Sequence, residues 1–164
     1  MHVYRLECEM LARRSIDEVF SVFQDPYNLA KITPPSLRFR FRSKQKVVMR
    51  KGAEIEYTIR WLGIPITWKT VIAEYNPPLE FIDQQAKGPY TLWRHRHTFL
   101  PTSDGVRVRD QVEYALPLGP LGRVAHGFVV AQQLRAIFRY RQAKLAQLFG
   151  GATQTTVQPR IQNA

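Results

Sequence analysis

A chain of 164 residues, 45% hydrophobic and 23% charged, is long enough for one compact domain burying roughly 70% of the surface its unfolded form exposes. It is too apolar to be disordered, and no run approaches the ~18 apolar residues of a membrane span. A lone cysteine, Cys8, excludes an intrachain disulfide or a multi-cysteine metal cluster, and the net charge of +11 leaves nucleic acid, anionic lipid or an acidic protein open as partners.

No charged-then-apolar leader precedes Tyr4, so the expectation is a cytoplasmic protein without membrane insertion. Residues 2–10 alternate Val3, Leu6, Cys8 and Met10 with His2, Arg5, Glu7 and Glu9, the pattern of a first strand. Ser15 and Glu18 then form an S-x-x-E capping box ahead of Ile16, Val19, Phe20 and Phe23, predicting an amphipathic helix from Ile16. Asp25-Pro26 opens a second short helix, which Pro34-Pro35 stops near Ile32.

From Leu37 to Leu116 the pattern is six further strands. Turn signals at Lys51-Gly52, Gly63-Ile64-Pro65, Asn76-Pro77-Pro78, Gly88-Pro89 and Ser103-Asp104-Gly105 divide them. In the first, Arg38, Arg40, Arg42, Lys44 and Lys46 share one parity, so a strand shows five cations on one face with Phe39 and Phe41 on the other. Arg94, Arg96, Arg107 and Arg109 extend positive charge onto outer faces of later strands. Ile55, Tyr57, Ile59 and Trp61 share a parity, and a hairpin through Leu62 to Pro65 sets Ile66, Trp68, Thr70 and Ile72 beside them. Short turns imply an antiparallel meander.

Pro117 and Pro120 close this region. Val124, Phe128, Leu134, Ile137, Phe138, Leu145, Leu148 and Phe149 follow at helical spacing, predicting one long helix from near Leu121. Gly150-Gly151 ends it. Residues 1–149 therefore read as a single domain and residues 150–164 as a polar tail with little order. The expected architecture is α+β: a curved seven-stranded antiparallel sheet covered by the long helix.

This order of elements resembles the helix-grip fold of the START-like, or SRPBCC (polyketide cyclase/Bet v 1-like), superfamily. The local sequence sharpens the likeness. Phe81-Ile-Asp-Gln-Gln-Ala-Lys-Gly-Pro-Tyr-Thr-Leu-Trp-Arg-His-Arg-His-Thr-Phe99, with Asp110-Gln-Val-Glu-Tyr114 and Leu116-Pro-Leu-Gly-Pro-Leu-Gly122, is similar to small bacterial SRPBCC proteins, a subgroup also found fused to epimerase-like domains. The resemblance implies a cavity between sheet and last helix that binds, transports or sequesters a hydrophobic small molecule.

Strand parity places polar side chains inside. Asp83 and Gln85 share a face with Phe81, His95 and His97 with Trp93 and Phe99, and Asp110 with Val106, Val108, Val112 and Tyr114. Buried polar groups left unpaired cost ~1–3 kcal/mol each, so this set must be paired, wet or used. The hairpin at Ser103-Asp104 brings His97 opposite Asp110 within a residue or two. A structural His–Asp pair, a ligand-orienting pair and a metal-ligating set are all compatible with that spacing.

Tyr57, Trp61, Trp68, Trp93, Phe99 and Tyr114 supply an aromatic wall, with Leu134 and Phe138 on the helix. Arg141 falls near the same stripe, where it can snorkel or meet an acidic head group. These residues, with Asp83, Gln85, His95, His97 and Asp110, form the expected ligand site. No cofactor motif occurs, no metal is expected to be required, and Cys8 reads as a buried thiol. The alternative is a cyclase, dehydratase or hydrolase in which His95, His97 and Asp110 act as acid and base. Because Phe39 and Phe41 point inward, no stacking platform accompanies the basic stripe. The expected macromolecular partners are therefore an acidic protein or a weakly associating second copy, without specific nucleic-acid binding.

Overall fold

Ser15 Oγ accepts from the Glu18 amide at 3.3 Å, while Glu18 Oε2 accepts from the Ser15 amide at 2.9 Å, so the first helix starts where the capping box places it. The structure, a computed structural model, describes residues 1–43, 46–61 and 63–164. Lys44 of the basic run and Leu62 of the expected hairpin lie outside the described residues. The chain runs through β1 (Tyr4–Ala12), α1 (Ile16–Gln24), α2 (Asn28–Lys31), a 3-10 turn (Pro35–Leu37), β2 (Arg40–Phe41), β3 (Glu54–Trp61), β4 (Ile64–Asn76) and β5 (Glu80–Lys87). It continues through β6 (Leu92–Thr102), β7 (Gly105–Ala115), α3 (Gly119–Ala125), a π-helical turn (His126–Val130), α4 (Ala131–Leu148) and β8 (Thr153–Asn163).

The strands form one eight-stranded sheet in the order β2-β3-β4-β5-β6-β7-β1-β8, every described pairing antiparallel. This is the helix-grip fold, with one strand more than the sequence pattern predicts. The addition is β8, in the stretch expected to be a disordered tail. Polar partners join it to β1, Arg160 with Glu7 at 3.1 Å and Thr156 with Glu9 at 2.9 Å, while Ile161 packs against the apolar interior. The register shifts opposite Glu7 and Glu9, and buried Pro159, which has no N–H for the ladder, falls within that irregularity.

The basic stripe also differs from expectation. Its strand, β2, is two residues long, because Arg38 adopts a left-handed φ of 46° after the 3-10 turn. The division of faces survives: Arg38, Arg40, Arg42 and Lys46 are exposed, while Phe39 packs on Phe41 and Tyr57 at ring separations of 5.0 and 4.7 Å. The arginines on the other strands have acidic neighbours. Arg94 lies 3.5 Å from Glu74, Arg96 3.5 Å from Glu80, and Arg107 and Arg109 lie 3.4 and 2.9 Å from Glu9.

The long helix carries a further correction. Its π turn inserts extra backbone between α3 and α4, and the expected stripe holds only beyond it: Leu134, Phe138, Leu145 and Phe149 are buried, whereas Val124 and Phe128, and Leu148 at the far end of the helix, are exposed. The face that packs inward instead carries Gly122, His126, Val130, Ala131, Leu134, Phe138, Gln142 and Leu145. Gly122 cannot carry a side chain, because a Cβ there would stand 2.2 Å from the Pro117 carbonyl oxygen.

Two apolar clusters fill the interior. One joins Val19, Phe20 and Phe23 of α1 to Met10, Phe81, Phe99 and Val108. The other joins Tyr4, Leu6, Trp68, Val112 and Tyr114 to Val130, Leu134 and Phe138. Along β6, His95 and His97 stand between Trp93 of one cluster and Phe99 of the other; along β7, Asp110 stands between Val108 and Val112. The polar residues thus form a band across an otherwise apolar interior.

Candidate binding cavity and its histidine–aspartate network

Strand register assembles this band. His97 faces Asp110 across β6–β7, and Asp83 faces His95 across β5–β6. His95 Nε2 is 2.9 Å from Asp110 Oδ1, and His97 Nε2 is 3.0 Å from Asp83 Oδ2. His97 Nδ1 also lies 2.9 Å from Asp110 Oδ1, out of line for a hydrogen bond. Since a carboxylate only accepts, each of the two hydrogen-bonded histidine nitrogens carries its proton. The rings of His95 and His97 lie 3.8 Å apart, and His97 stacks on Phe81 at 4.2 Å.

Burial alone would raise the pKa of Asp110, but the Arg141 charge, the hydrogen bond from His95 and the close His97 ring outweigh it and hold the carboxyl well below its usual range. Burial likewise works against a charged His97, yet Asp110 and Asp83 on either side raise its pKa above the ordinary value. His95 goes the other way: burial and the neighbouring His97 charge lower its pKa to about 4. At neutral pH the cluster thus holds two carboxylates and a neutral His95, with His97 the histidine drawn toward its charged form. Arg141 Nε lies 4.0 Å from Asp110 Oδ2 and sets a positive charge beside that carboxylate. Cys8 Sγ donates to Asp110 Oδ2 across 3.9 Å, and burial, followed by the Asp110 charge, pushes its pKa upward, so it stays a thiol.

Beside this network lies a cavity of about 170 Å³ between sheet and α4. Of the residues expected from sequence, Tyr57, Trp61, Trp68, Trp93, Leu134 and Phe138 form its apolar walls, while Asp83, His95, His97 and Arg141 face it with polar atoms. Four others are elsewhere. Gln85 bonds the backbone of Tyr90 from both ends of its amide, at 2.7 and 3.3 Å, because a strand residue beside a turn can satisfy that turn's backbone. Phe99 packs at 5.3 and 4.9 Å from Phe20 and Phe23. Tyr114 pairs its hydroxyl with His126 Nε2 at 2.8 Å. Asp110 lies off the cavity lining and acts on it through the two histidines.

The sequence reading missed another part of the wall: Phe23, Asp25, Leu29 and Ile32 from α1 and the segment after it, together with Phe39 and Tyr90. The apolar face of α1 was a usable signal for Phe23. Nothing local marks Tyr90, which belongs to no strand and reaches the cavity from the Gly88-Pro89 turn.

No protein family matches the chain by sequence, nor does any curated protein. Solved structures do match by fold. A START superfamily protein from Mycobacterium smegmatis aligns with TM-score 0.63 and 12% identity over 90% of this chain and 99% of its own. A norcoclaurine synthase point mutant from Thalictrum flavum, in complex with a transition-state analogue, aligns with TM-score 0.63 and 14% identity over 91% and 96%. The di-domain ARO/CYC StfQ from the steffimycin biosynthetic pathway aligns with TM-score 0.62 and 14% identity over 91% of this chain and 53% of that one. The chain therefore has the helix-grip fold of the START-like, SRPBCC proteins. Among the described residues, no helix is long and apolar enough to cross a membrane.

Proposed function

We propose that the protein binds a hydrophobic small molecule in this cavity and carries or sequesters it. The observation behind this reading is the cavity itself: aromatic and aliphatic walls with a few polar groups converging at one place, the general form of a small-molecule site. Its size sets a scale. A protein cavity of about 150 Å³ accommodates benzene, so 170 Å³ suits a single ring or short chain, and a larger ligand requires side chains to move. The ligand's polar group would meet Asp83, His95, His97 or Arg141, and its apolar body Trp68, Trp93 and Phe138.

Native mass spectrometry of the purified protein, followed by solvent extraction of what it retains, tests this. An apolar molecule held at one per chain and released by Phe138→Asp supports the reading. A protein that neither retains nor takes up small aromatic or aliphatic probes overturns it.

A second reading, a cyclase-, dehydratase- or hydrolase-type enzyme, is favoured by one observation: both histidines of the network line the cavity. The neutral His95 ring would present an unprotonated Nδ1 as the base, while Asp110, off the lining, would position the ring. The ARO/CYC and synthase names among the fold neighbours lend this reading its reaction classes. Turnover of a probe substrate that falls ~100-fold or more in His95→Gln would establish it.

A further inference from the structure

The donor atoms of Asp83, His95 and His97 lie within 4.8 Å of one another. All three residues line the cavity, on the neighbouring strands β5 and β6. The hydrogen bond to Asp110 takes the donor proton on His95 Nε2, so Nδ1 is the ring nitrogen left to offer a lone pair to an ion. That lone pair stands 3.6 Å from Asp83 Oδ2, itself only an acceptor, and His95 Nδ1 has no hydrogen-bond partner among the described residues. The ring is buried, with 4% of its surface exposed. Two acceptors facing each other in a buried place define a position that favours a cation.

The surroundings fit an ion larger than a proton. Metal–ligand lengths of about 2.0–2.2 Å separate neighbouring donors by about 2.8–3.6 Å across octahedral and tetrahedral geometry. Asp83 Oδ2 lies 3.0 Å from His97 Nε2 and 3.6 Å from His95 Nδ1, and with all donors within 4.8 Å of one another the set closes by drawing the two rings onto a common ion. Behind the histidines, Asp110 Oδ1 lies 2.9 Å from the other nitrogen of each ring. This is the outer carboxylate that orients metal-binding imidazoles and raises their basicity. Arg141, from α4, faces Asp110 and offsets its charge, leaving Asp83 as the carboxylate whose charge an ion would meet.

We propose that Asp83 Oδ2, His95 Nδ1 and His97 Nε2 form a binding site for one divalent transition-metal ion, with further coordination positions open to the cavity. Binding replaces the Asp83–His97 hydrogen bond: the Nε2 proton of the protonated His97 ring passes to solvent, and the ring keeps its Nδ1 proton, toward Asp110. Two nitrogens and one oxygen select ions such as Zn²⁺, Fe²⁺ or Co²⁺ over Mg²⁺ and Ca²⁺, which prefer all-oxygen sites. The site does not depend on the hydrophobic-ligand reading, because metal uptake is measured with no organic ligand present.

Protein purified without a histidine tag and stripped with a chelator is titrated with Zn²⁺ calorimetrically. Bound metal is counted by elemental analysis, and Co²⁺ gives a visible spectrum that reports nitrogen and oxygen ligands. The expected result is one Zn²⁺ per chain, no uptake of Mg²⁺ at the same concentration, and affinity weakened ~10-fold or more in Asp83→Asn. Exposed His2 is the control, and His2→Ala should bind as the parent does. Near-ultraviolet circular dichroism checks that Asp83→Asn is folded; if it is not, the Co²⁺ spectrum of the unmodified protein decides, two imidazole ligands supporting the site and none overturning it. Failure to bind Zn²⁺ in the micromolar range, equal uptake by folded Asp83→Asn, or loss of uptake in His2→Ala also overturns the proposal.

Discussion

Gln142 of α4 reaches the Val157 carbonyl of β8 with its Nε2 at 3.2 Å, and the same atom lies 3.3 Å from the Glu9 carbonyl of β1. One buried amide thus ties the helix to two neighbouring strands where their pairing is irregular. A leucine of similar size would leave buried carbonyls without this donor. Gln142→Leu is expected to cost about 1–3 kcal/mol, read as a lower denaturation midpoint with faster amide exchange in residues 153–163. An unchanged midpoint would mean that β8 is held by its ladder alone.

The two histidines of the network bend the stability profile in opposite senses on either side of pH 6.5. His97 has a raised pKa in the folded state, so its contribution is full below the unfolded value of 6.5 and is lost as pH rises through the higher folded value. His95, lowered from 6.5 to about 4, acts oppositely: the unfolded state binds its proton first as pH falls, which costs the folded state on the order of 3 kcal/mol by pH 4. Asp83 and Asp110, both lowered, contribute above the unfolded carboxylate value and lose that contribution as pH falls through their folded values. Denaturant titrations with chelator present should show stability falling from pH 6.5 to 4, falling further below that, and declining modestly on the alkaline side. Stability that climbs steadily from pH 5 to 9 would contradict these assignments.

Cys8, buried and held as a thiol beside Asp110, should resist thiol reagents in the native protein. Ellman's reagent is expected to label one thiol per chain only after denaturation. Rapid labelling of the folded protein would place the β1 face in solvent.

At Gly122 a methyl group meets backbone, not a movable side chain. Gly122→Ala should therefore destabilise by at least ~1–3 kcal/mol, the cost of overpacking, although alanine is the better helix former. Thermal unfolding of the two proteins decides it.

Glu74, Glu80 and Glu9 accompany the strand arginines, so the net charge of +11 is not gathered on that part of the sheet. Retention on anionic vesicles or DNA is expected to be negligible at ~150 mM salt. Strong retention lost on changing Arg38, Arg40 and Arg42 to Gln would make the exposed stripe a functional surface.

What could be read from the sequence follows from how local each cause is. The Ser15–Glu18 cap spans four residues, and period-2 parity along β6 and β7 places His95, His97 and Asp110 inward without knowledge of the rest of the chain. The exchange of partners, in which His95 reaches Asp110 and His97 reaches Asp83, required strand register and ring orientation, which parity does not carry. Gln85 shares the inward parity and is still diverted, because the adjacent turn needs its amide. The strand at 153–163 was hidden for a different reason: its pairing energy lies in Glu7, Glu9 and Gln142, far away in sequence, and its own composition is that of a loop.

The π turn at His126–Val130 makes chain length, more than side-chain identity, the variable that sets α3. Each residue in a helix advances the face by about 100°. Removing one residue from this turn would swing Leu121, Val124 and Phe128 by roughly a quarter-turn while leaving the buried face of α4, with Leu134, Phe138 and Leu145, against the sheet. A one-residue deletion here would therefore change which surface the protein shows to its surroundings without altering a wall of the cavity supplied by α4.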